Sequence, residues 1–504
     1  MTGKVWLVGA GPGDVGLLTL RGREVLEDAD VVVYDALVGQ GVLSLIPEKA
    51  ELIFAGKRAG NHYLRQEETN RVLLEEALKG KRVVRLKGGD PFLFGRGGEE
   101  LELLTENGVP FEIVPGITSA IAVPAYNGIP VTHRDFCSSV HIITGHRRAE
   151  QGYDIDFEAL VRTKGTLVFL MGIAALPDIC RGLLDAGIDP EMPAAVLEQG
   201  TTAGQGRILA TVSTLESVCA ERTVRTPAII VVGKVCSLAE EFAWYEKRPL
   251  AGIRVLLTRP KELSSALAVK LRRKGAEVIE IPAIRTELTK DTAALEAAEK
   301  KLSEGAFDWV VFTSPGGVRL FFEHLFRAGD IRAFSGVRVA AIGEGTRKAL
   351  MNVGLRADFM PSVYDAETLG TELAAECGPD ARLLIPRAAM GNPLLVENLR
   401  RGGVTHIDEV PLYDTLYVSS PVQDTKELIE SVGIDFAVFT SASTVRGFVG
   451  SAPGTDFSGV RAVCIGRQTE AEAKKYGMKT QTAEKATLDS LCEKLEQAAA
   501  ELRG

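Results

Sequence analysis

The segment 85–100 reads RLKGGDPFLFGRGGEE and has the composition of a ligand-binding loop. It follows an apolar run and combines glycines with Asp90, two aromatic residues and Arg96. Because Gly89 and Gly97 have no Cβ atom, their backbone can come close to a bound molecule. A strand in a core does not need this composition. The segment therefore predicts a loop whose backbone approaches a ligand.

A second glycine-rich loop, GAGPGD at residues 9–14, follows an apolar run near the start of the chain. Its position favours a dinucleotide-binding turn, but its residues do not. Asp14 stands where that fingerprint needs a third glycine for helix–strand packing, and Pro12 lies inside the turn. A nicotinamide cofactor is therefore the weaker hypothesis for this loop.

The bulk composition is that of a globular protein with more than one domain. The chain has 504 residues, of which 45% are hydrophobic and 25% charged, and its net charge is −9. The negative charge argues against a nucleic-acid partner but leaves room for local basic clusters. One such cluster consists of Arg82, Arg85, Lys87 and Arg96, and its simplest interpretation is a solvated face. No charged, apolar, cleavable leader and no membrane-length apolar run is visible, so we expect a cytoplasmic location and no membrane partner. The seven scattered cysteines predict neither disulfides nor a metal site.

The elements that position these loops follow an α/β pattern. Short β-branched runs (VWLVGA, VVVYDAL, KRVVRL, VHIITG, TLVFLMG and AIIVVGKV) predict buried strands of a largely parallel sheet, with helical stretches between them. The pattern breaks at residues 240–251, which predicts a joint with a linker at 245–252. Each half has its own strands, so we expect the halves to fold and act independently.

The second half contains an internal repeat with an offset of about 125 residues. VVFTSPGGVRLFF is echoed by AVFTSASTVRGFV, and AAIGEGTRKAL by VCIGRQTEAEA. Each TS pair ends a strand and enters a helix, where hydroxyls and free N–H groups form a site for anions. The repeat predicts two similar α/β lobes.

Taken in order, VGAGPGDVGLLT, the loop 85–100, PGITSA, GIPVTHR and TGH resemble the uroporphyrinogen III C-methyltransferases, which belong to the tetrapyrrole methylases. The resemblance implies a two-lobed methylase fold over residues 1–244 and S-adenosylmethionine as cofactor. The positions that match the family's cofactor contacts are Pro12, Gly88, Gly89, Asp90, Leu93, Thr118, Ser119, Met171 and Gly200. Two of them have simpler interpretations: Asp90 as a turn residue that caps its own backbone, and Met171 as core filler.

The same resemblance implies catalytic roles in the first half. Asp35 matches the family's proton acceptor and Lys57 its proton donor, whereas from the residues alone a helix cap and a surface lysine are the simpler interpretations. The substrate, uroporphyrinogen III, carries eight carboxylates, and guanidinium groups suit carboxylates well. The candidate substrate-binding residues are Arg96, His133, Arg134 and His146.

Residues 253–504 resemble the uroporphyrinogen III synthases. The resemblance implies a bilobed α/β fold with two chain crossings, one lobe combining about 253–284 with 417–504 and the other spanning 285–416. It implies closure of hydroxymethylbilane without a cofactor, with Tyr413 assisting loss of the hydroxyl. Hydroxyl candidates for holding the substrate are Thr313, Ser314, Thr346, Ser441 and Thr469. Helix caps are the alternative for the hydroxyls, and an aromatic packed at the hinge is the alternative for Tyr413.

Together the two resemblances imply a bifunctional enzyme, with sirohaem or cobalamin synthesis as its context. It would make uroporphyrinogen III, methylate it twice to precorrin-2, and form a homodimer through the methylase half. Two alternatives stay open: the second half is a non-catalytic bilobed tetrapyrrole-binding or regulatory module, or the first half is a different tetrapyrrole methylase.

Overall fold

A computed structural model describes residues 2–56, 65–145, 155–258, 261–389, 391, 393–418 and 424–503, with the backbone alone at 261–265. The residues in these ranges form four five-stranded sheets, two in each half. The structure is α/β throughout, as the sequence predicts. Within the described ranges, no helix combines the length and the apolar character needed to cross a bilayer.

The first sheet contains only parallel pairs and has the strand order β3-β2-β4-β1-β5. Its strands are β1 (Lys4–Gly9), β2 (Val31–Tyr34), β3 (Glu51–Phe54), β4 (Arg82–Lys87) and β5 (Phe111–Val114). The valines of β2 are fully buried, as expected for a parallel strand covered on both faces. The helices of this lobe are α1 (Leu20–Glu27), α2 (Gln40–Leu43), α3 (Gln66–Leu78), α4 (Gly97–Glu106) and α5 (Ser119–Tyr126).

The second sheet is mixed, which corrects the expectation of a largely parallel arrangement. Its order is β6-β7-β10-β8-β9, with strands β6 (Val140–Thr144), β7 (Thr166–Leu170), β8 (Pro193–Glu198), β9 (Gly206–Thr211) and β10 (Ala228–Val232). Only β6 and β7 are parallel; β10 is antiparallel to both its neighbours, and β8 to β9. Residues 199–205 are too short a connection for the crossover helix that a parallel pair requires. The helices here are α6 (Phe157–Thr163), α7 (Leu176–Asp185) and α8 (Leu215–Ala220).

The described part of the second half contains ten strands. They are β11 (Arg254–Leu257), β12 (Glu277–Glu280), β13 (Ile284–Leu288), β14 (Trp309–Phe312), β15 (Arg338–Ala341), β16 (Arg382–Ala388), β17 (His406–Tyr417), β18 (Phe436–Phe439), β19 (Arg461–Cys464) and β20 (Lys479–Thr482). The helices are α9 (Lys261–Arg273), α10 (Ala293–Ser303), α11 (Pro315–Leu325), α12 (Glu344–Asn352), α13 (Ala366–Cys377), α14 (Leu394–Arg401), α15 (Thr425–Glu427), α16 (Ala442–Gly450), α17 (Arg467–Lys474) and α18 (Leu488–Arg503).

These strands form two sheets that do not follow the order of the chain. One sheet has the order β12-β11-β18-β19-β20 and the other β13-β17-β16-β14-β15. The chain passes from the first to the second at residues 281–283 and returns after β17. Most pairs are parallel, and the exception is β13 with β17.

Candidate active sites

Three glycines meet where strands β1, β4 and β5 end in the first sheet. A Cβ atom on Gly9 would lie 2.4 Å from the Cα of Gly116, and one on Gly116 would lie 2.2 Å from the carbonyl oxygen of Gly89. Gly11 and Gly89 also exchange backbone hydrogen bonds of 3.2 and 2.7 Å. Any side chain here would push the loops apart. Gly9 and Gly116 lie in the motifs VGAGPGDVGLLT and PGITSA, but they were not among the predicted site residues. The contact between them identifies them as part of the site.

The outer face of Gly89 is open. Its φ is +68°, and a Cβ atom built on it would meet only the backbone nitrogen of Ser119, at 4.0 Å. Ser119 begins α5, and the Thr118 hydroxyl caps that helix by accepting from the N–H of Ala120 at 3.3 Å. Gly88, in contrast, is packed, since its Cβ would lie 2.5 Å from that of Leu37. A ligand can therefore approach the backbone at Gly89 and the start of α5.

The Asp90 carboxylate holds these loops together. Its Oδ1 accepts from the N–H groups of Phe92 at 2.8 Å and Leu93 at 3.1 Å, and its Oδ2 accepts from the N–H of Gly116 at 3.0 Å. The turn-capping interpretation thus describes the contacts present. A contact with a ligand stays a prediction, and the observed role of Asp90 is to fix Gly116 against the 88–90 turn.

The second lobe contributes the ends of β7 and β8. Met171 directly follows β7, has a positive φ of 55° and is 53% exposed, so it is not core filler. Gly200 packs on α5, where its Cβ would lie 2.3 Å from the Val123 side chain. The two lobes are in contact at Asp14, two residues after Pro12, whose N–H donates to the Thr201 hydroxyl at 3.2 Å. Leu93 is part-buried against the core of the second lobe.

Asp35 directly follows β2 and joins a buried ionic network. Its Oδ1 accepts from the N–H of Leu37 at 3.0 Å, and its Oδ2 lies 3.5 Å from the Arg85 guanidinium. Arg85 and Lys87 both donate to the same oxygen of Glu100, at 3.0 and 2.6 Å. Burial, together with the charge of Arg85, lowers the pKa of Lys87. The solvated-face interpretation of Arg85 and Lys87 is therefore wrong, because Glu100 on α4 compensates their burial.

The described substrate candidates of the first half make local contacts or are exposed. Arg96 precedes α4 in the left-handed conformation, and its guanidinium pairs with Glu99. His133 stacks against Phe136 with ring centroids 4.8 Å apart, and Arg134 is exposed. Lys57 and His146 lie outside the described residues.

A cavity of about 1160 Å³ lies between the two sheets of the second half. Of the predicted residues, Thr313, Tyr413, Ser441 and Thr469 line it, whereas Ser314 and Thr346 lie outside its described lining. Thr346 is buried within α12. The structure thus brings four of the six candidates to one cavity, with contributions from both sheets.

Two of the five candidate hydroxyls act as helix caps, whereas Thr346 and Thr469 lie inside helices that begin after Gly343 and Gly466. Ser314 accepts from the N–H of Gly317 at 2.9 Å to cap α11, and Ser441 accepts from the N–H of Thr444 at 3.3 Å to cap α16. The Tyr413 hydroxyl is 2.9 Å from the Ser314 hydroxyl, and burial raises its pKa. Tyr413 therefore remains protonated at neutral pH and is anchored to the start of α11.

Sequence reasoning missed the cations of this cavity. Arg387 lines it from the end of β16 with an 8% exposed side chain, and its Nε donates to Glu409 at 2.8 Å. Arg467 and Lys485 line it from the other sheet. Arg387 lies in the segment PRA at residues 386–388, which is similar to TRP at residues 258–260, so the internal repeat offered a signal for it.

Both halves match families of known proteins. The family described as Tetrapyrrole (Corrin/Porphyrin) Methylases matches residues 4–216, and Uroporphyrinogen-III synthase HemD matches residues 265–493. The chain is 47% identical over 494 residues to the porphyrin biosynthesis protein HemD of Ruminiclostridium josui, covering 98% of this chain and 97% of that protein. The chain therefore belongs to the family that joins a tetrapyrrole methylase to a uroporphyrinogen-III synthase.

Two further similarities are to methyltransferases. The uroporphyrinogen-III C-methyltransferase of Bacillus subtilis (strain 168) is 43% identical over 377 residues, covering 74% of this chain and 77% of its own. The crystal structure of uroporphyrin-III C-methyl transferase from Thermus thermophilus, complexed with S-adenyl homocysteine, is 40% identical and matches with a TM-score of 0.41. That match covers 47% of this chain and 99% of the Thermus chain.

Proposed function

We propose that this chain converts hydroxymethylbilane to uroporphyrinogen III in its second half and methylates that product twice, to precorrin-2, in its first half. The observation that carries the proposal is the adjacency of the two matched families in one chain, together with a relative similar over nearly the whole length. The product of one family is the substrate of the other.

The first half fits S-adenosylmethionine. The open outer face of Gly89 leaves room for a ligand directly beside the backbone, and the adjacent N–H of Ser119, the first residue of α5, can donate to a carboxylate such as that of an amino acid. Met171, half exposed at the end of β7, offers an apolar contact for an adenine ring. When bound, the cofactor supplies the methyl group.

The chain's own residues position the acceptor carbon and move a proton. Asp35 is held at the end of β2 by the Leu37 N–H and the Arg85 guanidinium, so its carboxylate has a fixed orientation from which to accept a proton. Arg85 is itself fixed by Glu100, which makes the pair a support for Asp35. Most of the rate then comes from in-line placement of two reactants.

In the second half, Tyr413 donates a proton to the departing hydroxyl of the bilane. Tyr413 carries its proton at neutral pH, and the hydrogen bond with Ser314 fixes the direction of the hydroxyl. Arg387 is positioned to pair with substrate carboxylates from one sheet, and Arg467 and Lys485 from the other. Holding the bilane between two sheets favours ring closure over reaction with water.

One assay tests both activities. The purified chain is given hydroxymethylbilane, with or without S-adenosylmethionine, and the products are separated by isomer and identified by mass. The expected products are the III isomer without the cofactor and a species with two added methyl groups with it. If the I isomer, which forms spontaneously, is the only product, the second half is a non-catalytic module. A different methylation pattern would show that the first half is another tetrapyrrole methylase.

The assembly and the location remain proposals. Strand β5 lies at the edge of the first sheet and exposes Phe111 and Ile113, which supports a homodimer formed by the methylase half. Sedimentation equilibrium would measure the mass in solution, and a monomer at working concentrations would remove this part. A cytoplasmic location is tested by fractionating cells.

A further inference from the structure

Strand β12, which lies at an edge of its sheet in the synthase half, is in contact with the methylase half. A Cβ atom on Gly41 in α2 would lie 3.5 Å from the carbonyl oxygen of Val278 in β12. The N–H of Glu280 donates to the Ser44 hydroxyl at 3.4 Å, and Arg285 pairs with Glu48 at 3.4 Å. The two halves therefore share a surface formed by residues 41–48, by β12 and by β13, the next strand along the chain.

Glu277, the first residue of β12, connects this surface to a loop of the methylase site. Its Oε2 accepts from the N–H of Ala203 at 2.8 Å and from Arg254 of β11 at 3.1 Å. The Glu277 side chain is only 17% exposed, so water screens these contacts weakly. A single carboxylate thus joins a synthase strand to the backbone of residues 199–205.

The loop that Glu277 holds is the one that carries Gly200. Gln199 and Thr201, on either side of Gly200, have positive φ values of 42° and 69°, which side-chain-bearing residues adopt only when their surroundings impose it. Thr201 also accepts the hydrogen bond from Asp14 beside the Pro12 turn. The strain in this loop therefore requires restraint, and Glu277 supplies one restraint from the other half.

The segment predicted to be a linker, residues 245–252, adds a second connection. Tyr245 is 4% exposed, and its hydroxyl donates to the carbonyl oxygen of Gly275, just before β12, at 3.2 Å. Its ring packs on Tyr126, whose hydroxyl donates to Asp14 at 2.9 Å. The linker is thus packed between the end of α5 and the synthase half.

We propose that the synthase half completes the cofactor site of the methylase, with Glu277 as a positioning residue that holds the 199–205 loop in its binding conformation. The inference rests on the proposed cofactor site. Cofactor affinity then depends on a residue of the other half. Because coupling between binding and docking is reciprocal, cofactor binding also strengthens the contact at β12.

The test uses the full-length chain and S-adenosylhomocysteine as the probe. Calorimetry on Glu277→Ala is expected to show about tenfold weaker binding, as loss of one charged hydrogen bond from a strained loop implies. Glu277→Gln keeps a neutral acceptor for Ala203 and is expected to show a smaller loss. The matched control is Glu323→Ala, which removes an exposed glutamate paired with Arg319 within α11, and it should bind like wild type.

Synthase activity in the same samples reports whether the second half is folded. Unchanged affinity in Glu277→Ala with normal synthase activity would overturn the proposal. If Glu277→Ala does not fold, Glu277→Gln decides, and wild-type affinity in that variant would overturn it. Wild-type protein that binds no probe would instead refute the proposed cofactor site.

Hydrogen exchange gives an independent reading. Binding of the probe to wild type is expected to protect the backbone amides of residues 199–205. It is also expected to protect those of residues 277–280, which belong to the other half of the chain. In Glu277→Ala the protection at 277–280 should be lost. Protection confined to the first half in wild type would contradict the coupling.

Discussion

Asp90→Asn isolates the role of one carboxylate in the methylase site. Asp90 accepts three backbone N–H groups, two from its own turn and one from Gly116. An asparagine has a single acceptor oxygen. If that oxygen serves Phe92 and Leu93, the amide NH₂ faces the N–H of Gly116, and donor meets donor.

The magnitude follows from the bond that is lost. A hydrogen bond to a charged group contributes about 1.5–3 kcal/mol, and leaving its partner unpaired costs a similar amount. Gly116 is in direct contact with Gly9 and Gly89, so its release loosens the open face that the ligand needs. If the whole loss appeared in binding, affinity would fall by about 10- to 150-fold. We expect at least about tenfold weaker binding of S-adenosylhomocysteine.

Calorimetry measures the affinity, and the synthase reaction of the same chain reports that folding is intact. Asp456→Asn is the matched control, because Asp456 also caps a turn, accepting from the N–H of Ser458 at 2.9 Å, but lies in the second half. It should bind the probe like wild type. Affinity within twofold of wild type in Asp90→Asn would refute the reasoning, and the Gly116 contact would then be irrelevant to the ligand.

Three further predictions concern catalysis and stability. Asp35→Asn should slow methyl transfer by about 10²-fold or more with little change in cofactor affinity; near-normal single-turnover methylation would make Asp35 structural. Tyr413→Phe should lose part of III-isomer formation, with the I isomer accumulating and methylation of added uroporphyrinogen III unchanged; wild-type turnover would make Tyr413 a packing residue. Hydrogen bonds from Lys4, then Arg21, lower the pKa of Glu112 from 4.5 to about 2. The stability from these pairs is therefore present above about pH 4.5 and is lost as pH falls toward 2. Glu112→Gln should make the urea unfolding midpoint less dependent on pH over that interval, and an unchanged pH dependence would contradict this.

The sequence predicted strands that are apolar throughout, such as β2 and β10, and missed some that are not, such as β9. VVVYDAL and AIIVVGKV correspond to β2 and β10, which are buried on both faces. β9 (GRILAT) is only partly buried, and its mixed composition carries no such signal. The antiparallel pairing of β8 with β9 was also missed, because strand composition does not specify the direction of a neighbour.

The site was predictable where a backbone requirement leaves a mark on the sequence. Gly89 was identified because an open, positive-φ position favours glycine. The ionic network under Asp35 was not, because two cations at alternate positions of β4 look the same whether they face water or a glutamate from α4. Burial of charge is decided by the partner, and the partner is a tertiary contact.

The packed contact between the halves has a consequence beyond cofactor binding. β12 is the edge of its sheet, and an uncovered edge offers unpaired N–H and C=O groups to other chains. Ser44 accepts from the backbone of Glu280, and Glu277 accepts from that of Ala203, so the methylase half covers this edge while it is itself restrained. The cavity of the synthase half lies elsewhere, where β14, β16, β18, β19 and β20 end, so docking at β12 leaves it accessible. One contact can therefore protect a sheet edge and hold a methylase loop without obstructing the second site.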